Sequence, residues 1–272
     1  AGYVGKHAPD VMRTTDKWFR GIELSYAPDG SVYVLDWSDI GECHDNDGIH
    51  RTSGRIFRIF HSKTEAAEVN LAKLSNDKLG RMISSRNEWH SRQARQLLQQ
   101  RAAAGQDLTK TAQMVMNIYK LSSSTPAALR AMWTLSAIGA TDEDWLLEQS
   151  NDEREHIRTW AIKLLIDQGP LSTKTQKRLI EMAAKDNAGL VQLHLAGALQ
   201  KLPLEKRWPL ATALVSQDTF AKDSVFPLMV WYGINPAVTE HRTEALKLVS
   251  NCKLPKIRQF IARKLAGETG KK

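Results

Sequence analysis

Six positions, Arg92, Arg130, Arg158, Gln192, Pro227 and Arg258, recur at intervals averaging about 33 residues, and that recurrence is what most constrains this chain. They occupy matching places in segments such as Trp89-His90-Ser91-Arg92-Gln93-Ala94, His156-Ile157-Arg158-Thr159-Trp160-Ala161 and Lys256-Ile257-Arg258-Gln259-Phe260-Ile261. A bundle of unrelated helices has no reason to keep such an interval, whereas a stacked two-helix repeat requires it. Partner helices are expected between these segments, near 108–119, 142–149, 173–184, 204–216 and 238–248. The spacing of Ile157, Trp160, Ala161, Leu164 and Leu165 builds one apolar helical face, opened by Asn151-Asp152 and closed by Gly169-Pro170. Thr125-Pro126 opens another, with Leu129, Met132 and Trp133 on one face and Gly139 near its end. Residues 66–272 therefore read as a HEAT/armadillo-like α-solenoid of five or six helical hairpins, with a frayed tail from Gly267.

Residues 1–65 follow a different period. Ile22, Leu24 and Tyr26 alternate along 18–26, as expected of a strand with one buried face. Pro28-Asp29-Gly30 supplies turn chemistry, a second apolar run follows over 32–37, and a third covers 54–60. Three antiparallel strands in about 60 residues close neither a sandwich nor a barrel, so something must cover their edges. Strand, Pro-Asp-Gly turn, strand and Asp-Trp in this order look like one blade of a β-propeller, here an incomplete one.

Between the second and third strands runs a loop from Asp36 to Arg51 that holds Asp36, Asp39, Asp45, Asp47, Glu42, Cys43, His44 and His50. A connector does not need so many ligand-type side chains. Asp45-Asn46-Asp47-Gly48 resembles half of a calcium loop, yet the closing glutamate beyond the glycine is missing. Asp36-Trp37 also reads as a structural corner whose carboxylate bonds backbone groups of a turn.

A hydrophobic content of 42% suits a packed core, and the net charge of +8 gives an electropositive surface on average. No run of five basic residues concentrates that charge. Cys43 and Cys252 lie too far apart, in contexts too different, to suggest a disulfide framework. No apolar run reaches the 18 residues of a membrane span. The opening Ala1-Gly2-Tyr3, without Met or leader, suggests a processed protein or a piece of a longer one, the second being favoured.

The run from Asp16 to Leu24, then 28–34, the Asp36 to His44 loop with its Gly41-Glu42-Cys43-His44, and Arg51-Thr52-Ser53-Gly54-Arg55-Ile56 together resemble a known pattern. It is the last propeller blade of the membrane-bound dehydrogenase family of planctomycetes and verrucomicrobia. Asn87 to Arg95 is similar to the first helical repeat after that propeller. The likeness is motif-like over about 3–105 and generic beyond.

The resemblance implies an exported or periplasmic oxidoreductase, with a propeller like those of the glucose/sorbosone dehydrogenases dependent on pyrroloquinoline quinone (PQQ). HEAT repeats follow the propeller, and a c-type cytochrome domain often ends the chain. It implies PQQ and calcium in the full-length protein, and the upstream blades as partners within the same polypeptide. On that view His44 and His50 are candidate bases, and Arg20, Arg51 and Arg55 are candidates for holding the cofactor. Asp36, Asp39, Glu42, Asp45 and Asp47 are then candidate ligands of a hard cation. No Cys-x-x-Cys-His sequence occurs, so haem is not expected on this stretch, which on its own would be inactive.

Two readings stand beside this one. The helices can serve as a non-catalytic module that binds a protein in a concave groove, with the β-segment as its cap. The positive charge can serve nucleic acid, but Trp89, Trp133 and Trp160 fall on apolar helical faces, which reads them as core rather than stacking platforms and ranks this last. Arg92, Arg130, Arg158 and Arg258 are expected to bond neighbouring turns or acidic residues between repeats.

Overall fold

A computed structural model describes residues 1–38, 52–61 and 69–269. It is mainly helical: among the described residues twelve α-helices follow a three-stranded antiparallel sheet. The strands are β1 (Gly21–Tyr26), β2 (Val32–Asp36) and β3 (Arg55–Ile59), in the spatial order β1-β2-β3.

The β1–β2 turn forms as its residues dictate. Ala27 donates to the Ser31 carbonyl at 2.9 Å and Gly30 to the Ala27 carbonyl at 3.0 Å, while Gly30 takes φ +83°, which a side chain would resist. Asp29 accepts from the Ser31 amide at 2.9 Å, and Arg58 of β3 pairs with Asp29 and donates to Ser31 Oγ at 3.1 Å, which staples the turn to the far strand.

Strand register places Leu24, Val34 and Phe57 on one face and Leu35 and Ile56 on the other. Only part of the first face is covered. Val34 is 5% exposed beneath Phe19, which meets Phe57 edge-on at 5.9 Å. The expected buried row of Ile22, Leu24 and Tyr26 is not one: Ile22 and Leu24 are 61% and 70% exposed, and Tyr26 alone is half-buried. The register slips between Gly21 and Glu23, which takes Ile22 out of the alternation, and among the described residues β1 is an edge strand.

The helices are α1 (Asn76–Met82), α2 (Glu88–Ala103), α3 (Thr109–Leu121), α4 (Thr125–Ala137), α5 (Glu143–Gln149) and α6 (Glu155–Asp167). They continue as α7 (Thr173–Lys185), α8 (Gly189–Ala198), α9 (Arg207–Val215), α10 (Phe226–Val238), α11 (Arg242–Asn251) and α12 (Pro255–Thr269). All six recurring positions fall on the even-numbered helices, and the expected partners are the odd-numbered ones from α3 onward. The start of α6 comes later than Asn151-Asp152 suggests, because Asp152 Oδ1 first accepts the Arg154 amide at 2.8 Å in a turn of its own.

The chain divides into two compact units. One holds Ala1–Val4, Ser123–Leu129 and Gly139–Lys272; the other holds Gly5–Ser122 and Arg130–Ile138. The division does not follow the change from strand to helix at residue 66, since the sheet shares its unit with α1, α2 and α3. In that unit α1 packs on both α2 and α3, and Leu79, Ile83, Ala94 and Leu98 are fully buried.

Within the first unit helices pack on adjacent ones, as α5 on α6 and α9 on α10, and also on next-but-one partners. Helix α6 packs on α8, α8 on α10 and α10 on α12, while α5 packs on α7, α7 on α9 and α9 on α11. Two rows of helices built in this way are compatible with stacked hairpins. Their shared core includes Leu195, Leu199, Leu214, Ile234, Ile257 and Ile261. Polar side chains tie the turns together. Arg158 grips Asp186 with two bonds of 2.7 and 3.1 Å and also donates to the carbonyls of Asp152 and Glu153. Gln192 donates to the Asp186 carbonyl at 2.7 Å, and Arg178 to the Ser150 carbonyl at 2.9 Å.

Arg158 thus has the expected role, and so does Arg130, which donates to the Ser85 carbonyl at 3.2 Å. Arg258 is exposed and makes no such bond among the described residues. Trp89 packs against the apolar core as expected, while Trp133 and Trp160 differ. Trp89, Trp133 and Trp160 are half-buried rather than enclosed, and a cation lies over two of them: Arg95 at 5.5 Å from the Trp133 ring and Lys163 at 5.1 Å from the Trp160 ring. Long cationic stems cover these rings where apolar neighbours would otherwise be needed. His194 is half-buried and bonds the Leu190 carbonyl at 3.0 Å, and Cys252 is buried as a free thiol.

Candidate functional site

Three candidates from the sequence, Arg20, Asp36 and Arg55, lie together where β2 enters and β3 leaves the acidic loop. Asp36 is 5% exposed, and its Oδ1 accepts the amides of Arg20 at 2.7 Å and Ser38 at 3.0 Å. Its Oδ2 accepts from Arg55 Nε at 2.7 Å, and the other arm of Arg55 pairs with Asp16. Asp16 itself accepts the Trp18 amide at 2.9 Å. Arg20 turns its guanidinium back to the carbonyls of Lys17 and Phe19. The result is a corner lock: one buried carboxylate closes a turn and ties β2 to β3.

Burial pushes the Asp36 carboxyl up, but the amides of Arg20 and Ser38 and the Arg55 guanidinium outweigh it and hold the group below its ordinary value of 3.8. Asp16 is lowered as well, chiefly by the Trp18 amide and then by Arg55. A lowered carboxyl stabilises the fold fully above its unfolded value and loses that contribution as pH falls through the folded value. Asp36→Asn keeps an oxygen for the two amides but turns an amide group toward Arg55. It should cost about 2 kcal/mol at neutral pH by urea unfolding. That difference from wild type should shrink steadily as pH drops below 3.8, the unfolded value.

His44, His50, Arg51, Asp39, Glu42, Asp45 and Asp47 lie outside the described residues. Among the described residues no group of three or more His, Cys, Asp or Glu side chains could hold a metal ion. Both oxygens of Asp36 are taken by N–H donors, and Arg55 is spent on two carboxylates. Neither therefore fits a calcium ion or a quinone, and no step through either group is derived from them. A cavity of about 300 Å³ between α7 and α9 is lined by Leu179, Ile180, Pro209 and Leu210, with Glu205 and Lys206 beside them, and offers no nucleophile paired with a base.

A second cluster was not expected. On α2, Glu88, Arg92 and Arg95 are spaced four and three residues apart and so share a helix face. Asn87 caps that helix, accepting the Trp89 amide at 2.9 Å, and donates to the carbonyls of Ala27 and Pro28 at 3.1 and 3.0 Å. His90 Nε2 donates to the Pro28 carbonyl at 3.1 Å, so the β1–β2 turn is pinned on the start of α2. Tyr26 arrives there from β1 with Arg92 over its ring at 5.4 Å. From α4 come Trp133, under Arg95, and Arg130, paired with Glu88.

Arg92 is 4.0 Å from Glu88 and otherwise exposed. Burial pushes the Arg95 guanidinium down, and the neighbouring charges of Arg92 and Arg130 add to that effect against Glu88 and Tyr26. Arg95 Nη1, Arg130 Nε and the Tyr26 hydroxyl are buried without a hydrogen-bond partner among the described residues. The Glu88-Arg92-Arg95 spacing was readable in the sequence. Its meeting with Tyr26, Arg130 and Trp133 was not.

Comparison of the chain with protein families, with curated proteins and with solved structures finds no match.

Proposed function

We propose that this chain is the closing segment of a larger exported oxidoreductase of the propeller-and-helical-repeat kind, its sheet one blade of the propeller and its helices a scaffold or docking arm. The observation that carries the reading is the sheet's apolar exposure on both faces: Leu24 at 70% on one and Ile56 at 70% on the other, with Trp37 and Phe60 also more than half exposed. A sheet that ends a fold keeps its outer face and its edges polar. A blade held between other blades needs apolar side chains on both sides. The helices support a scaffold role, because the polar bonds of Arg158, Gln192 and Arg178 are spent on holding turns together.

On this reading oxidation of a sugar or other alcohol belongs to the complete protein with its upstream blades, and the acidic loop contributes to that pocket. Leu24→Lys with Ile56→Lys should change the stability of the 272-residue chain by less than about 0.5 kcal/mol, as exposed substitutions do. In a longer polypeptide that includes the preceding sequence, the same pair should cost more than about 3 kcal/mol and abolish dye-linked oxidation of aldoses. Equal, small effects in both proteins, or a longer polypeptide that reduces no dye with any aldose or alcohol, would sink the proposal. A protein-binding module is the second reading, favoured by the two helical rows; it predicts that the longer polypeptide is inert.

A further inference from the structure

We infer that Arg92, Arg95, Arg130 and Tyr26 form a binding site for a small oxyanion, the phosphate or carboxylate group of a ligand. The inference concerns neither the acidic loop nor the propeller, and it holds whether or not the chain belongs to an oxidoreductase.

Charge is the first argument. Three guanidinium groups gather around one carboxylate, and Glu88 is already engaged by Arg130. An arginine does not shed its proton in a protein, so a half-buried surplus of positive charge has to be balanced from outside the cluster. Such a surplus opposes folding, and an anion that enters it relieves the cost.

Geometry is the second. The Arg95 guanidinium lies over the Trp133 ring at 5.5 Å, and that of Arg92 over the Tyr26 ring at 5.4 Å. A guanidinium donates its hydrogen bonds in its own plane, so a ring against its face leaves the N–H edges able to donate. Arg95 Nη1 and Arg130 Nε are such edges, buried and without an acceptor among the described residues, and the Tyr26 hydroxyl adds a third donor. Phosphate and carboxylate oxygens match this set, and a forked pair of bonds to an oxyanion is the strongest use of an arginine. The depth also limits the ligand: Arg95 and Arg130 are only partly exposed, so a single anionic group enters while a chain would have to stay outside.

Isothermal titration of the full chain with inorganic phosphate, and separately with malonate, tests this, each at ionic strength matched with sodium chloride so that the +8 charge is screened equally. Saturable one-to-one binding of either probe is expected, weakened about tenfold or more by Arg95→Gln and about threefold or more by Arg92→Gln. Binding of phosphate alone marks a phosphoryl ligand, and binding of malonate alone a carboxylate. The absence of saturable heat with both probes overturns the inference. So does wild-type binding by Arg92→Gln, whose exposed side chain makes that variant safe to fold even should Arg95→Gln fail to do so.

Discussion

Arg207→Ala should lower the stability of the helical unit by about 4 kcal/mol, enough to bring the thermal midpoint down by about 8–16 °C. Arg207 is 9% exposed, and no carboxylate meets it among the hydrogen bonds and ion pairs of the described residues. Its guanidinium instead feeds three carbonyls, those of Leu202 at 2.8 Å, Gly233 at 2.6 Å and Gln200 at 3.3 Å. Burial pushes its pKa down, as expected of a cation held by dipoles alone. Alanine takes away every donor at once and leaves a gap, whereas methionine fills the gap and restores no bond. If the bonds dominate, methionine recovers less than about 1 kcal/mol of the loss. A full recovery by methionine in urea titrations would show that only packing was at stake.

Gly233→Ala should cost about 3 kcal/mol in the same assay. A methyl group at Gly233 would lie 2.5 Å from Cβ and 2.8 Å from Cδ1 of Leu199, which is fully buried. Glycine in a helix normally gives up about 1 kcal/mol to alanine, so an open site would show a gain here. Overpacking of an enclosed leucine close to its backbone exceeds that gain, and the sign is set by the clash. Leu199→Ala in the same chain should not rescue it, because alanine keeps the Cβ that lies 2.5 Å away. A stabilised Gly233→Ala would refute the close approach of α10 to the residues after α8. Because Arg207 bonds the carbonyl of Gly233, the two substitutions should not add, and their double-mutant cycle should depart from additivity by more than about 0.5 kcal/mol.

The helices were legible because their causes are local and periodic. Ile157, Ala161 and Leu165 are buried at the spacing of a helix face, and Gly139 and Gly169 take the positive φ expected just past a helix. Three strands and their turn were legible for the same reason. What the sequence hid is what covers each face. Ile22, Leu24 and Tyr26 have the right alternation for burial, but alternation cannot supply a neighbouring layer, and Leu24 is 70% exposed. Trp133 and Trp160 sit near apolar positions, yet the groups above them are Arg95 and Lys163, a choice set by tertiary contact. Asp36 was readable as a corner, because an aspartate before a turn has few other uses. Arg207 was not, since its partners are backbone carbonyls that leave no trace in residue identity.

Asp186 has a consequence beyond its own turn. Its carboxylate holds Arg158 of α6 and accepts the Ala188 amide at 2.9 Å, while its carbonyl takes Gln192 of α8, so a single residue is bonded to two successive rungs of the stack. Local unfolding that begins at one end of this unit spreads through bonds of this kind as well as through the shared apolar core. Asp186→Ala would then do more than weaken one rung, because the rungs on either side would melt apart, broadening or splitting a transition that is otherwise shared.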